Sequence, residues 1–285
     1  MILLLGNGVL GSEIARCLQL NNVAFYQAHR NEIDILSSYL DIKNQINVLQ
    51  HKIGDRFTHV INAIGFTKVD AAEQQKELAL TVNAYGANKL ALFCSSQNKT
   101  LVQISTDFIF NGMNTVDHPY MEEDNPAPLN YYGYTKLLSE QMVKESGCKY
   151  LIVRTGKLYN RTGGFIFTIL DKMKKEKRIF GVKNQTFTPT NAFNLATQLL
   201  DLIRYNVAGV YHVTNRGSTN AFDLIAFIKK MLDSSIEVDP IFLYENFSVA
   251  RRPEMTALCL NKLDALGLLN MPEWEESLGD MLELI

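Results

Sequence analysis

The chain opens on Ile2-Leu3-Leu4-Leu5, four apolar residues without a polar break, as in a strand buried on both faces of a parallel sheet. Gly6-Asn7-Gly8-Val9-Leu10-Gly11 follows at once. Then Ser12 to Leu20 carries apolar residues at Ile14, Cys17 and Leu18, the spacing of a helix with one buried stripe. The alternation continues along the chain. Apolar runs at 23–27, 59–65, 101–105 and 150–154 predict further strands, and the stretches 73–97 and 134–146 predict helices between them. Strands that alternate with helices build a doubly wound parallel α/β sheet. Past Thr155 the pattern turns more helical, at 165–175, 191–205, 220–232 and 275–284, with a strand-like 209–213 among them.

The bulk composition narrows the class of protein. At 285 residues the chain is long enough for a large core and two lobes around a cleft. A net charge of −2 gives no field that would draw it to nucleic acid or an anionic membrane. Cys17, Cys94, Cys148 and Cys259 are dispersed, with no Cys-x-x-Cys, and read as reduced thiols of a cytoplasmic protein. The apolar start reaches Gly6 too soon for a signal peptide, and no run approaches a membrane span. Asn-x-Ser/Thr matches at Asn98, Asn160, Asn184 and Asn246 therefore carry no glycosylation argument. The five histidines are scattered and show no metal-ligand spacing, so no metal is expected.

Strand, Gly-x-Gly-x-x-Gly, helix is the fingerprint of a Rossmann-type dinucleotide site. Its glycines allow a tight turn and a close backbone approach to a pyrophosphate at the helix N-terminus. Gly6, Asn7, Gly8, Val9, Leu10 and Gly11 are thus expected to bind cofactor. The next strand ends at Ala28-His29-Arg30, where an NAD site usually has an acid for the ribose 2′-hydroxyl. Arg30 suits a 2′-phosphate instead, so NADPH is the expected cofactor and NADH the alternative. Asp34 and Ile35, and the small-residue strand end Ala63-Ile64-Gly65, complete the expected cofactor set.

Tyr132 and Lys136 lie four apart in Tyr131-Tyr132-Gly133-Tyr134-Thr135-Lys136, the spacing that puts two side chains on one helix face. An ammonium beside a phenol would lower the phenol's pKa, so the pair could move a proton to or from a carbonyl oxygen. Ser105-Thr106-Asp107 ends the run at 101–105, and the carboxyl ends of strands are where open α/β sheets bind ligands. A hydroxyl there could hold a substrate carbonyl.

Together these residues resemble a known family. Asn62 to Glu73 (NAIGFTKVDAAE), Val82-Asn83, Ser105 to Gly112 (STDFIFNG) and Pro128 to Glu140 (PLNYYGYTKLLSE) resemble the extended short-chain dehydrogenase/reductases, and among them the dTDP-4-dehydrorhamnose reductase family. Arg154-Thr155, Pro189-Thr190, the run 209–212 and Arg252-Pro253 extend the likeness through most of the chain. The resemblance implies Thr106, Tyr132 and Lys136 as the catalytic trio and NADPH-dependent reduction of the 4-keto group of a nucleotide-linked 6-deoxysugar, in deoxysugar or polysaccharide synthesis. It implies an NAD(P)-binding domain over 1–155, rejoined by parts of 189–215, and a smaller, mostly helical substrate lobe over 156–285. Thr67, Val69, Asp70, Asp107, Phe108, Lys157 and Arg252 become the expected substrate residues. A nucleotide sugar is the expected partner, and the chain a monomer or homodimer. Two other readings stay open: an epimerase or dehydratase of the same superfamily, and a non-catalytic subunit like the regulatory subunit of methionine adenosyltransferase.

The chain also departs from the family. Its glycine loop is one residue shorter than the usual Gly-x-x-Gly-x-x-Gly. Gly156-Lys157 replaces a common Ser-Trp. Asn184 to Thr190 (NQTFTPT) departs from the usual Asp-Gln-x-Gly-x-Pro-Thr, and Glu254-Met255-Thr256 follows Arg252-Pro253 where Asn or Tyr before Ser is commoner. Lys157 reads as a solvated lysine or as a contact for a charged substrate group. Arg251 and Arg252 are diphosphate candidates or surface ion pairs. The basic run 172–178 reads as the solvated C-terminal turn of a helix, and His212 as a packed core residue.

Overall fold

A computed structural model describes residues 1–54, 57–242 and 249–284; Asn246 lies outside them. In chain order the first elements are β1 (Ile2–Leu5), α1 (Val9–Leu20), β2 (Phe25–Ala28), α2 (Tyr39–Ile53) and β3 (His59–Asn62). There follow α3 (Val69–Gln74), α4 (Lys76–Leu80), a π-turn (Thr81–Tyr85), α5 (Gly86–Ser96), β4 (Thr100–Thr106), α6 (Tyr131–Glu145) and β5 (Lys149–Thr155). The second half carries β6 (Lys157–Tyr159), α7 (Phe165–Lys175), β7 (Arg178–Val182), β8 (Pro189–Asn191), α8 (Ala192–Arg204) and β9 (Gly209–His212). It closes with α9 (Ala221–Met231), β10 (Glu237–Ile241), α10 (Asn261–Asp264) and α11 (Trp274–Leu282). No helix of the described residues is long and apolar enough to cross a membrane.

Six strands form one parallel sheet in the order β2-β1-β3-β4-β5-β9. Period-two alternation sorts the apolar opening onto its two faces. Ile2 and Leu4 join the core beneath α1 and α8, while Leu3 and Leu5 join the one beneath α2 and α5. The stripe on α1 (Leu10, Ile14, Cys17, Leu18) meets Leu195, Leu199 and Leu202 of α8. A separate core of Tyr159, Ile166, Leu224, Ile228, Trp274 and Leu278 holds the smaller lobe together. That lobe also carries two short parallel pairs, β7 with β10 and β6 with β8.

The strand expected at 209–213 is β9, which pairs with β5 and ends the main sheet, so a segment within 189–215 returns to the sheet of the first half. Two expectations change. The helix expected over 73–97 begins earlier, at Val69, breaks at Gln75 and passes through the π-turn before α5. The break has a purpose in the fold, because it turns Asn83 inward. Its amide accepts from the Phe66 N–H at 2.7 Å and donates to the Phe66 carbonyl at 3.1 Å, which fixes the loop after β3. Finally, α6 starts at Tyr131, three residues before the expected 134, since Asn130 caps it by accepting from the Gly133 N–H at 2.8 Å.

Candidate active site

The glycine loop joins β1 to α1 and packs on the end of β3. A Cβ at Gly6, which has φ +106°, would stand 2.8 Å from the Ala63 carbonyl carbon, and one at Gly11 would stand 2.3 Å from the Gly6 oxygen. Nothing lies within 4 Å of the Cβ direction of Gly8, and no side chain caps α1 at that residue. The helix thus presents an open N-terminus over a loop with no side chain in the way, which fits the pyrophosphate of a dinucleotide. Val9 and Leu10 lend only backbone to that loop, as their side chains pack into the core.

Arg30 lies just past β2 with its side chain 81% exposed, and Asp34 faces it at a loose 3.9 Å. Both are free to meet an adenosine ribose. Ile35 is not: its side chain is buried at 6% exposure under Gly86, and its carbonyl accepts from Lys89 Nζ at 3.1 Å. Like Val9 and Leu10, Ile35 could lend a cofactor only its backbone.

Thr106 ends β4, and α6 brings Tyr132 beside it, where the Thr106 side chain acts on the phenol. The approach depends on Gly133, where a Cβ would come within 2.2 Å of the Phe108 carbonyl. Phe108 meets Tyr132 edge-on, with ring centroids 6.1 Å apart. The Thr106 hydroxyl donates to Asp107 Oδ1 at 3.0 Å and accepts from the Phe108 N–H at 3.2 Å. Asp107 is 4% exposed, with the Thr256 side chain near enough to act on its carboxyl. Burial pushes its carboxyl up to about 6, against the pull of those hydroxyls and of the Lys157 charge.

Lys136 sits one turn beyond Tyr132 but does not bond it. Its ammonium donates to the Ile104 carbonyl at 2.5 Å. Burial pulls Lys136 down to about 8, with Glu140 acting the other way. The phenol accordingly moves opposite to the expectation. Burial, aided by the charge of Asp107, pushes Tyr132 up to about 12, which the Thr106 side chain only moderates. A phenol so placed is protonated at neutral pH.

A buried ion pair supports this helix. Arg154 of β5 grips Glu140 of α6 through Nε and Nη2, at 3.0 and 2.9 Å, and Ser105 donates to the same carboxylate at 2.5 Å. Glu140, Asn83 and Thr256 are the residues the sequence reading did not assign a role. Glu140 alone had a signal, its place four residues after Lys136. Glu73 is another, accepting from the Tyr131 N–H at 2.7 Å at the head of α6.

The expected substrate residues lie near the start of α3, just past β4 and β5, and near residue 252. Thr67 is exposed, and Val69 and Asp70 are half-buried at the start of α3. Asp70 and Arg252 hold each other, with Arg252 Nη2 on Asp70 Oδ2 at 2.6 Å and Nη1 on Oδ1 at 3.1 Å. That pairing holds the Asp70 carboxyl below its usual range. Lys157 is exposed, as a solvated lysine would be, and its Nζ stands 4.2 Å from the Phe187 ring centre and 5.1 Å from that of Phe165. Burial of the head group pulls it down to about 8 although Asp107 favours its charge. Gly156 is required here, since a Cβ would stand 2.7 Å from the Thr188 carbonyl. The basic run is partly spent as well, because Arg178 pairs with Glu237 and, at 3.1 Å, with Asp239 on β10.

The family model described as the RmlD substrate binding domain matches residues 1–285. The dTDP-4-dehydrorhamnose reductase of Escherichia coli K12 is 30% identical, over 99% of this chain and 96% of its own. A dTDP-4-dehydrorhamnose reductase structure from Clostridium acetobutylicum has a TM-score of 0.91 and 32% identity, covering 99% of this chain and 98% of its own. One from Bacillus anthracis, in complex with NADP, has the same TM-score and identity, covering 100% and 99%. A UDP-glucose 4-epimerase from Thermus thermophilus, complexed with NAD, is 17% identical with a TM-score of 0.81 and covers 99% and 98%; it shares the fold. The chain belongs to the dTDP-4-dehydrorhamnose reductase family.

Proposed function

We propose that this protein reduces the 4-keto group of a nucleotide-activated 6-deoxyhexose with NADPH, in the synthesis of a deoxysugar or polysaccharide. The observation that carries this reading is the protonated Tyr132 phenol at the head of α6, held beside Thr106 at the carboxyl end of β4. Reduction of a ketone needs an acid, and a phenol held at about 12 keeps its proton until a stronger base forms beside it. The family relatives support the substrate class, and the NADP complex of the Bacillus anthracis relative supports the cofactor.

The open face of Gly8 and the N-terminus of α1 would hold the cofactor pyrophosphate, Arg30 a 2′-phosphate, and the segment 63–65 the middle of the dinucleotide. When bound, the nicotinamide supplies the hydride. Tyr132 gives its proton to the substrate oxygen as charge builds there, with the Thr106 hydroxyl beside the phenol. Lys136 is free to exchange the Ile104 carbonyl for a ribose hydroxyl. Asp70 and Arg252 face the nucleotide sugar from α3 and from the loop that follows 249.

The test is NADPH oxidation across a panel of nucleotide-linked 4-keto-6-deoxysugars. Tyr132→Phe is expected to bind NADPH as the wild type does and to lose about 10²–10⁴ in kcat. A Tyr132→Phe enzyme that keeps wild-type turnover would remove the assignment.

A further inference from the structure

The loop between β2 and α2 carries Arg30 and Asp34, and its segment 34–37 lies in no helix or strand. Two side chains from different helices hold that segment. Gln45 of α2 accepts from the Asp34 N–H at 2.9 Å and reaches Ser37 Oγ at 3.5 Å. Lys89 of α5 donates to the Ile35 carbonyl at 3.1 Å and to the Ser37 carbonyl at 2.7 Å. Inside the segment, Asp34 Oδ1 accepts from the Leu36 N–H at 3.2 Å and the Asp34 carbonyl from the Ser37 N–H at 2.9 Å. Gly86, three residues before Lys89, gives the Ile35 side chain its seat: a Cβ there would stand 2.5 Å from Ile35 Cγ1. Helix α5 thus meets the segment twice, by packing and by an ammonium. Lys89 is half-buried, and among the described residues it makes no ion pair with a carboxylate. Burial pulls its pKa below the ordinary lysine range, although the charge of Asp34 acts the other way. Against that cost stand two charge-assisted hydrogen bonds, both to one short segment.

We propose that Lys89 is a positioning residue for the cofactor: it clamps the segment 34–37 to α5 and so presets the wall of the site where Arg30 and Asp34 receive the adenosine ribose. The proposal rests on the reading of this loop as the ribose end of the dinucleotide site. Lys89 touches no reacting atom and acts through the backbone on either side of Leu36. The clamp works on populations. A segment held by Gln45 alone would spend part of its time out of the binding position, and the apparent affinity falls by the fraction lost. That loss is common to NADPH and NADH, because the wall serves the ribose whether or not it bears a phosphate. Arg30 differs, since its guanidinium meets only the 2′-phosphate. Once cofactor is bound the segment is held by the ligand as well, so the chemical step at Tyr132 is left at its own rate.

Fluorescence titration with NADPH and NADH, beside steady-state kinetics, tests the clamp in the whole protein. Lys89→Met keeps the apolar stem and removes the ammonium. It is expected to raise Kd and KM for both cofactors about 10-fold and to leave kcat at saturating cofactor within about twofold of wild type. Binding of adenosine 2′,5′-bisphosphate, which has no nicotinamide, should weaken by the same factor. Lys89→Arg, which retains charge and donors, should recover most of the affinity. Gln45→Ala loosens the same segment from α2 and should show the same pattern, which decides the matter if Lys89→Met folds poorly. Hydrogen exchange at the Ser37 N–H should quicken in Lys89→Met and slow again when NADPH is added. A Lys89→Met protein with a lower Tm and wild-type Kd for both cofactors would make Lys89 a merely structural lysine and overturn the clamp. So would a fall in kcat with Kd unchanged. Arg30→Ala is the reference: if it weakens NADPH alone while Lys89→Met weakens neither cofactor, only the clamp falls. If Arg30→Ala weakens neither, the loop is not the ribose end, and the reading falls with the clamp.

Discussion

Under the proposed function one exposed side chain, Arg30, would set the choice of cofactor. It is 81% exposed, and its contact with Asp34 is 3.9 Å, too long and too wet to hold the guanidinium. A charge-assisted contact to a phosphate is worth about 1.5–3 kcal/mol, so Arg30→Ala should raise KM for NADPH about 10–100-fold and leave NADH almost unchanged. Equal changes for both cofactors would remove Arg30 from the 2′-phosphate site. Arg30 was legible in the sequence because it follows a strand at a fixed offset from the glycine loop. Tyr132, Lys136 and Thr106 were legible for the same reason, as spacings along one element or at one strand end. What the spacing could not give was partner choice. Lys136 turns to the Ile104 carbonyl, not to Tyr132, and Asn83 reaches across to the Thr135 hydroxyl, far away in the chain. Those choices depend on which polar atoms the fold leaves buried and unpaired, and a local pattern does not carry that information.

At the scale of an element, α6 must hold Tyr132 within reach of Thr106, and a single buried pair anchors its middle. Glu140 is fully buried with Arg154 on one side and Ser105 on the other. Removing one partner strands the other charge without water. Glu140→Ala should therefore cost about 3–5 kcal/mol in a denaturant melt. Lys175→Ala, which breaks the exposed Asp171 pair on α7, should cost under about 1 kcal/mol. Similar losses for the two would mean that the buried pair does not anchor the helix. The elements themselves were readable where the apolar period was strong, as in β1 with both faces buried or α1 with its stripe. The short pairs β6–β8 and β7–β10 were not, being three to five residues long with mixed burial and joined only through the fold. The break between α3 and α5 was hidden too, because tertiary demand for Asn83 overrides a run with good helix propensity.

Across the whole molecule, β9 matters because it closes the main sheet with residues from the second half of the chain, and His212 at its end is the point where the parts meet. The His212 ring is fully buried. Its Nδ1 donates to the Cys259 carbonyl at 3.2 Å, and its Nε2 accepts from Arg154 at 3.4 Å, which defines a neutral imidazole. Its backbone N–H donates to Glu122 at 2.9 Å. Burial, helped by the charge of Arg154, pulls the ring down to about 3. The folded pKa lies below the unfolded one, so on acidification the unfolded chain takes the proton first. The stability His212 provides is complete above about 6.5 and is lost as pH falls toward 3, by up to about 5 kcal/mol. Burial raises the Glu122 carboxyl, which works in the opposite sense as it protonates and offsets part of the loss. Thermal melts from pH 8 down to pH 4 should therefore show a steep fall in Tm below about 6.5, and His212→Gln should flatten that slope even if it lowers Tm at pH 8. A variant with an unchanged slope would place the acid sensitivity elsewhere, since loss of packing alone shifts the level of such a curve and not its dependence on protons.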